Sequence, residues 1–544
     1  MMRCVRRTRV AHRPVIVAML FACACGDRPD AASTDAGDPI RGGTVVIAGA
    51  NDLDLANGLV SQERYTQELT RFALFLPLVA YDSVLEFEPA LARSWAMTGD
   101  TGVVFDLRDD IRWHDGVPTT AADVAFTFER IKDPATGFPQ AEAFQHWTGV
   151  VIEDSLRVRF RWTPHADPLA GLPFAPIMPR HLLDTVPAAG MRNAPFNHRP
   201  VGNGPFRFVE YIPNDRWVFE ANPDFAASMG GRPYIDRLVW RVIPDNTAQV
   251  TELQTGNADL VLNARPETYT QLGTRPELQT IDREARQYAF IGWNGRRPPF
   301  GDARVRRALT MAVDRQHMLD GLRDGRGRVS VGPVGRFHWA YVDSLAPLPW
   351  DTAGARALLA EAGIRDTNGD GTLDLPGGRP FTFTLKLPAN NPLNRDMAEL
   401  IADDLSRLGI QVQPQPLEFG TLVGQITSTA RDFDAVLMGW ESDFRLNLRS
   451  LFHSAELGGP FQIAGYRNAE VDRLIDEVAT NVDRATARPA LERLQRILRD
   501  DQPWTFLYAW DDLYVASGRL RGVEMDIRGA FVNLPRWWVA RVAR

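Results

Sequence analysis

All three cysteines of this 544-residue chain fall within its first 25 residues, at Cys4, Cys23 and Cys25. The body that follows therefore has no disulfide, no thiolate metal site and no cysteine nucleophile. The segment around them reads as an export leader. Arg3, Arg6, Arg7, Arg9 and Arg13 form a positive stretch, and Pro14–Ala22 is an apolar run too short to anchor as a span. An exported chain without cross-links must be held by its core alone. A chain of this length, with 44% hydrophobic residues, has enough for two or three lobes.

The run Leu20-Phe-Ala-Cys23-Ala-Cys25-Gly26 resembles a bacterial lipidation signal, in which a small residue precedes the cysteine that receives lipid. Two registers fit, Cys25 and Cys23. Cys25 is preferred because the apolar run ahead of it is free of charge. Residues 1–24 are then a signal peptide, and 25–41, small, polar and Pro-containing, a lipid-attached flexible tether. No later stretch is a transmembrane candidate, since charges or prolines interrupt every apolar run. The net charge is -7, and loss of the leader arginines makes the body more acidic still, which argues against a nucleic-acid partner. Only two lysines occur, Lys132 and Lys386, so lysine-based catalysis is not expected.

Order begins with the β-branched run 42–48. Gly102–Arg108 and Leu156–Trp162 alternate apolar and polar residues as half-buried strands do. Between them Thr120 caps a helix over 121–131, with Asp123 completing a capping box. The later half reads as α/β. One helix opens at Asp302 and carries a buried stripe through Leu319. A second runs from Thr352, capped by Asp351 and stopped by Gly363. Phe381–Leu387, the helix Leu393–Leu408 and Ile410–Val412 predict a parallel βαβ unit, with a further strand at 434–440. Residues 468–500 form one or two more helices.

No nucleophile elbow, phosphate loop or dinucleotide fingerprint is present, and none of the nine histidines stands at zinc-site spacing. No cofactor and no enzymatic activity are expected. The adjacent pairs Asp403-Asp404 and Asp511-Asp512 are expected on the solvated surface. Asp366, Asn368, Asp370 and Asp374 offer oxygens at alternate positions around Gly371, as a calcium loop does. The twelfth position is Gly377, however, where a bidentate Glu belongs. A tight connection without metal is the preferred reading.

From Leu78-Val-Ala-Tyr81 onward, a series of segments resembles the family 5 extracellular solute-binding proteins, the peptide, dipeptide and nickel receptors of ABC importers. The most specific is Trp113-His-Asp-Gly116-Val-Pro-Thr119, followed by the 120–130 helix. Pro89–Trp95, Met178–His181, Pro200–Phe206, Pro299–Ala308, Ala312–Arg315, Gly439-Trp440 and Gly465–Asn468 follow in family order. The resemblance implies an α/β, periplasmic-binding-protein-like two-lobe clamp (type II, cluster C) with an additional small α+β domain. It places lobe I at 42–76, 200–293 and 505–544, the extra domain at 77–199 and lobe II at 294–504. The chain would cross between lobes near Trp293 and Trp504.

The resemblance also implies a site. In Gly439-Trp440-Glu441-Ser442-Asp443, Asp443 would take a ligand's α-amine, Gly439 and Glu441 would lend backbone groups to a ligand strand, and Trp440 would form a cleft wall. Leu55 would face the cleft from lobe I. Arg445 departs from the family pattern and could pair with Asp443. The expected protein is an ABC-transporter lipoprotein, monomeric, held at the membrane through its N-terminal lipid in the periplasm or cell envelope. It would pass a peptide or peptide-like solute to a membrane permease. A metal chelate, haem or glycan fragment as solute, an envelope sensor, and an envelope hydrolase remain alternatives.

Overall fold

Strong β-branched and aromatic patterning produces one sheet that organises the protein. The computed structural model describes residues 38–389, 391–481 and 483–540. The leader, both candidate lipidation cysteines and most of the tether lie outside the described residues. The first strand, Thr44–Gly49, is central and pairs in parallel with Arg237–Val242 on one side and Leu260–Val261 on the other. Two antiparallel strands, Arg216–Ala221 and Phe206–Ile212, complete that end of the sheet.

The two longest strands, Leu278–Trp293 and Trp504–Ser517, join this part to the rest. They run antiparallel from Leu278 opposite Ser517 to Gly292 opposite Trp504, with the register irregular between Glu284 and Phe290. Such irregularities bend a strand and increase its twist. The core changes at the same place. Ile281 packs against a core built from residues 45–262 and 514–537. Tyr288, Phe290 and Ile291 belong to cores built from residues 288–508.

Beyond the irregularity, Ala435–Glu441, Thr382–Pro388 and Gln411–Leu417 extend the sheet. The expected parallel βαβ unit is present. Thr382–Pro388 and Gln411–Leu417 pair in parallel, with the helix Pro392–Ser406 between them, capped by the Asn391 side chain. The expected single helix from Asp302 is instead two, Ala303–Ala312 and Arg315–Arg323. Val313 is extended, and the Asp314 carboxylate accepts from His317 N at 2.9 Å, starting the second helix. A β-branched residue followed by a good N-cap terminates one helix and opens another. Asp404, expected at the surface, is buried and accepts from Asp314 N at 2.9 Å, which secures that break. Residues 468–500 give two helices, Ala469–Thr480 and Arg484–Asp501.

A separate antiparallel sheet of Ala92–Met97, Gly102–Leu107, Arg157–Trp162 and Trp147–Asp154 carries the helix Ala121–Lys132 on one face. Phe128 of that helix stacks on Trp147 at 5.4 Å and meets Phe160 edge-on at 4.6 Å. The capping box forms as expected: Thr120 N donates to Asp123 Oδ2 at 2.8 Å, and the Thr120 hydroxyl oxygen accepts from Ala122 N. His114 explains the segment before it. Its Nδ1 accepts from Gly202 N and its Nε2 bonds Gly204 O, both at 3.0 Å. A side chain on Gly202 or Gly204 would collide with the Leu74 carbonyl, so both glycines are needed for this close approach.

Candidate functional site

The strand Ala435–Glu441 is paired along its whole length with Leu278–Trp293, Gly439 lying opposite Ala289 and Glu441 opposite Gln287. On its other side, pairing with Thr382–Pro388 stops at Val436. Among the described residues, Leu437–Glu441 therefore presents an edge that no strand covers. Gly439 is exposed, and a Cβ there would stand 3.7 Å from the Trp510 ring.

Alternation along the strand sends Trp440 the other way. It packs half-buried in the second part of the molecule, 5.8 Å from both Phe461 and Trp504. The Glu441 carboxylate is held by Arg286 and accepts from Gln287 Nε2 at 3.4 Å. Asp443 is exposed at the strand's end, and Arg445 does not pair with it. The one contact is the Arg445 backbone N, 3.5 Å from Asp443 Oδ1, and among the described residues no cation forms an ion pair with this carboxylate. Between them Phe444 is buried against Phe174 at 5.3 Å, Tyr81 at 5.7 Å and Phe337 at 5.6 Å. Arg286 covers its ring at 4.8 Å.

Both parts of the sheet border a cavity of about 790 Å³. One wall comes from Asn51, Glu63, Tyr65, Trp240 and Arg265, the other from Gln287, Arg323, Leu393 and Trp510. A volume of that order accommodates a sizeable small-molecule or peptide ligand. Gln287 lies directly across from Glu441, and Trp510 lies against Gly439, so the open strand edge adjoins this cleft. Leu55 is not among the residues lining the cavity; it is half-buried against the first core.

The floor of the cleft is an ion-pair cluster. Expected at the surface, Asp512 is buried, forms an ion pair with Arg64 and stands 3.0 Å from Arg283. Glu68 joins it, 3.3 Å from Arg64 and 3.7 Å from Arg283. Burial alone would raise the Asp512 pKa, but the Arg64 and Arg283 guanidiniums overcome it and hold the group below its ordinary value. Its neighbour Asp511 points into the cleft, where burial pushes it up. Strand alternation thus separates the two carboxylates as expected and buries one of them. Sequence reasoning passed over Trp510, Tyr65 and Trp240. The aromatic-acid run Trp510-Asp511-Asp512 inside a β-rich segment was the available signal.

The Asp366–Asp374 loop spends its oxygens on itself. Asp366 accepts from Gly369 N at 2.7 Å and Gly371 N at 3.0 Å, Asn368 from Asp370 N at 2.9 Å, Asp370 from Thr372 N at 2.7 Å and Asp374 from Thr367 N at 3.0 Å. Among the described residues no three acidic, His or Cys side chains converge to hold a metal.

Two bodies on one sheet with a ligand-sized cleft between them define a solute-binding clamp. Residues 86–453 match the family model of the bacterial extracellular solute-binding proteins, family 5. This chain belongs to that family. It is 30% identical, over 98% of its length and 99% of the relative's, to the oligopeptide-binding protein AppA of Bacillus subtilis. The structure of that protein in complex with a nonapeptide superposes with a TM-score of 0.76, covering 92% of this chain and all of the other. Heme-binding protein A of Haemophilus influenzae is 28% identical over 78% of this chain and 80% of its own. The fold recurs with a TM-score of 0.81 in the ABC transporter substrate binding protein CtaP of Listeria monocytogenes, 22% identical over 92% of this chain and all of that one. Among the described residues no helix is long and apolar enough to cross a membrane.

Proposed function

We propose that this protein is the solute receptor of an ABC importer and captures peptides or peptide-like solutes in the cleft. The observation that carries the reading is the pairing of an open strand edge, Leu437–Glu441, with an ion-pair-free carboxylate, Asp443, at its end. An extended peptide adds to such an edge through main-chain hydrogen bonds, independent of its side chains, and its α-amine needs a carboxylate. Similarity to the oligopeptide-binding relative supports the same ligand class. Gly439 and Glu441 supply backbone groups to the ligand. Trp440 backs the strand from the core side instead of forming a cleft wall, and Glu441's own carboxylate is occupied by Arg286.

Lipid attachment at Cys25, or at Cys23, holds a monomeric receptor at the membrane, where it passes solute to the permease. The change of core supports a lobe boundary at the irregular register around Glu284–Tyr288 and the facing Ala509–Asp512, inside the two long strands instead of at Trp293 and Trp504.

Native mass spectrometry of the purified protein, followed by calorimetry with a pool of short peptides, tests the reading. Peptide binding that Asp443→Ala weakens by about 10- to 100-fold, without a change in melting temperature, is the expected result. A non-peptide mass in the cleft together with no response to the pool overturns it.

A further inference from the structure

Arg71 has an unusual environment for a guanidinium. It sits on the turn Thr70–Leu74, where the helix Arg64–Leu69 widens and Phe75 N reaches back to Thr70 O at 2.8 Å. Arg71 and Phe72 on this widened turn line a cavity of about 180 Å³. The guanidinium lies between the Phe72 ring at 4.5 Å and the Phe174 ring at 4.8 Å. It donates one hydrogen bond, to Arg528 O at 2.7 Å, and its buried Nε finds no acceptor among the described residues.

Three other arginines surround it, and each has a carboxylate: Arg283 has Asp512, Arg286 has Glu441 and Arg528 has Asp526. Among the described residues Arg71 has none. Glu68, the acid whose charge acts on it, accepts from Arg64 and from Ala530 N instead. Burial, reinforced by Arg286, Arg528 and Arg283 and opposed by Glu68, pushes Arg71 down to about 10, so it stays charged at neutral pH. A buried guanidinium N–H without an acceptor, on a charge with no carboxylate, is costly, and a carboxylate presented by a ligand would offset that cost.

The cavity defines what could carry the carboxylate. Its walls are mostly apolar, formed by Phe72, Tyr81, Phe174, Phe225 and Phe444, with the Asp526-paired Arg528 beside Arg71 and the exposed Glu88 also lining it. Its volume is close to that of a cavity that holds one benzene ring, about 150 Å³. Phe444, the residue after Asp443, forms part of the cavity wall.

We propose that the Arg71 cavity is a ligand subsite that takes a carboxylate on a short apolar or aryl stem, which makes this receptor selective for acidic peptides. The inference rests on the peptide reading above, since the carboxylate belongs to a ligand that also engages Asp443.

The test is calorimetry with short synthetic peptides in matched pairs, Glu against Gln and free against amidated C-terminus, and with 3-phenylpropionate alone. The proteins are the wild type, Arg71→Met, and Ala80→Phe, which adds a ring to the cavity and leaves the Arg71 charge in place. Wild-type preference for the acid of about tenfold or more, lost in both variants while melting temperatures hold, supports the subsite. The Glu/Gln pair assigns the preference to a side chain and the acid/amide pair to the terminus. Peptide binding indifferent to both pairs overturns the subsite and leaves the peptide reading standing. If no peptide binds, the peptide reading fails. Phenylpropionate binding lost in Arg71→Met then still supports the subsite, and no phenylpropionate binding overturns it.

Discussion

Asp443 and Asp512 are both acids at the cleft, and their surroundings give them opposite roles. Asp512 is buried between two arginines, so Asp512→Asn leaves Arg64 and Arg283 sharing Glu68 as their one carboxylate among the described residues. The expected loss is roughly 3–5 kcal/mol of unfolding free energy, read from urea denaturation. Asp443 is exposed and forms no ion pair among the described residues, so its removal should change stability by no more than about 0.5 kcal/mol. The histidines make a separate prediction. Burial first, then the weaker charge effects, pushes His114 down to about 4 and His338 down to about 3 from an ordinary 6.5. In both, a ring nitrogen accepts a backbone N–H, Gly202 N on His114 and Ala340 N on His338, which requires the neutral ring. The folded state then binds fewer protons than the unfolded one. This stabilisation is complete above pH 6.5 and is lost as pH falls from there through about 4 and then 3. Urea midpoints measured across that range should fall, and His114→Asn should flatten part of the slope. Little of this was legible in the residues. Asp511-Asp512 looks like any surface acid pair, because burial of the second depends on Arg64 and Arg283, hundreds of residues away in sequence.

Elements were far more legible, because their determinants are local. The capping box at Thr120 and Asp123, the caps at Asp302 and Asp351, and the alternation over 157–162 each lie within one short window of sequence, whereas Gly102–Leu107, expected half-buried, is buried along nearly its whole length as an inner strand. The helix break at Val313-Asp314 was missed because the apolar stripe continues through it, and the stripe reports burial, not backbone continuity. Strand order was not legible beyond the βαβ unit, since pairing such as Leu278–Trp293 with Trp504–Ser517 joins distant segments. The cap gives an element-level prediction. Thr120→Ala should cost about 1 kcal/mol, the usual value of an N-cap. Asp123→Ala should cost more, because the Asp123 carboxylate also accepts from Arg180 N at 2.9 Å and so ties the helix to the next segment. Chemical denaturation of both variants checks the order.

At the scale of the whole molecule, contacts outside the cleft fasten the residues after Phe444 to the segments flanking strands of the separate antiparallel sheet. Arg484 reaches both Asp167 oxygens, at 3.0 and 3.2 Å, and Ala166 N donates to Ala479 O at 3.0 Å. Asn447 donates to Glu142. A clamp held partly by such a clasp closes more readily than its ligand contacts alone would allow. Arg484→Ala should therefore weaken ligand binding about three- to tenfold without touching the cleft, and should raise the ligand-free radius of gyration in X-ray scattering. The two-lobe architecture was legible from the spread of matching segments, whereas the clasp was not, since each partner reads as an ordinary surface charge. The position of Trp504–Ser517 has a consequence for how the molecule is made. That strand lies between Leu278–Trp293 and Leu260–Val261, in the interior of the sheet, yet it follows both of them in the chain, after the whole of the second part of the molecule. No earlier part of the chain can close the sheet in its place. A polypeptide delivered N-terminus first thus cannot complete this sheet until Trp504–Ser517 has been synthesised.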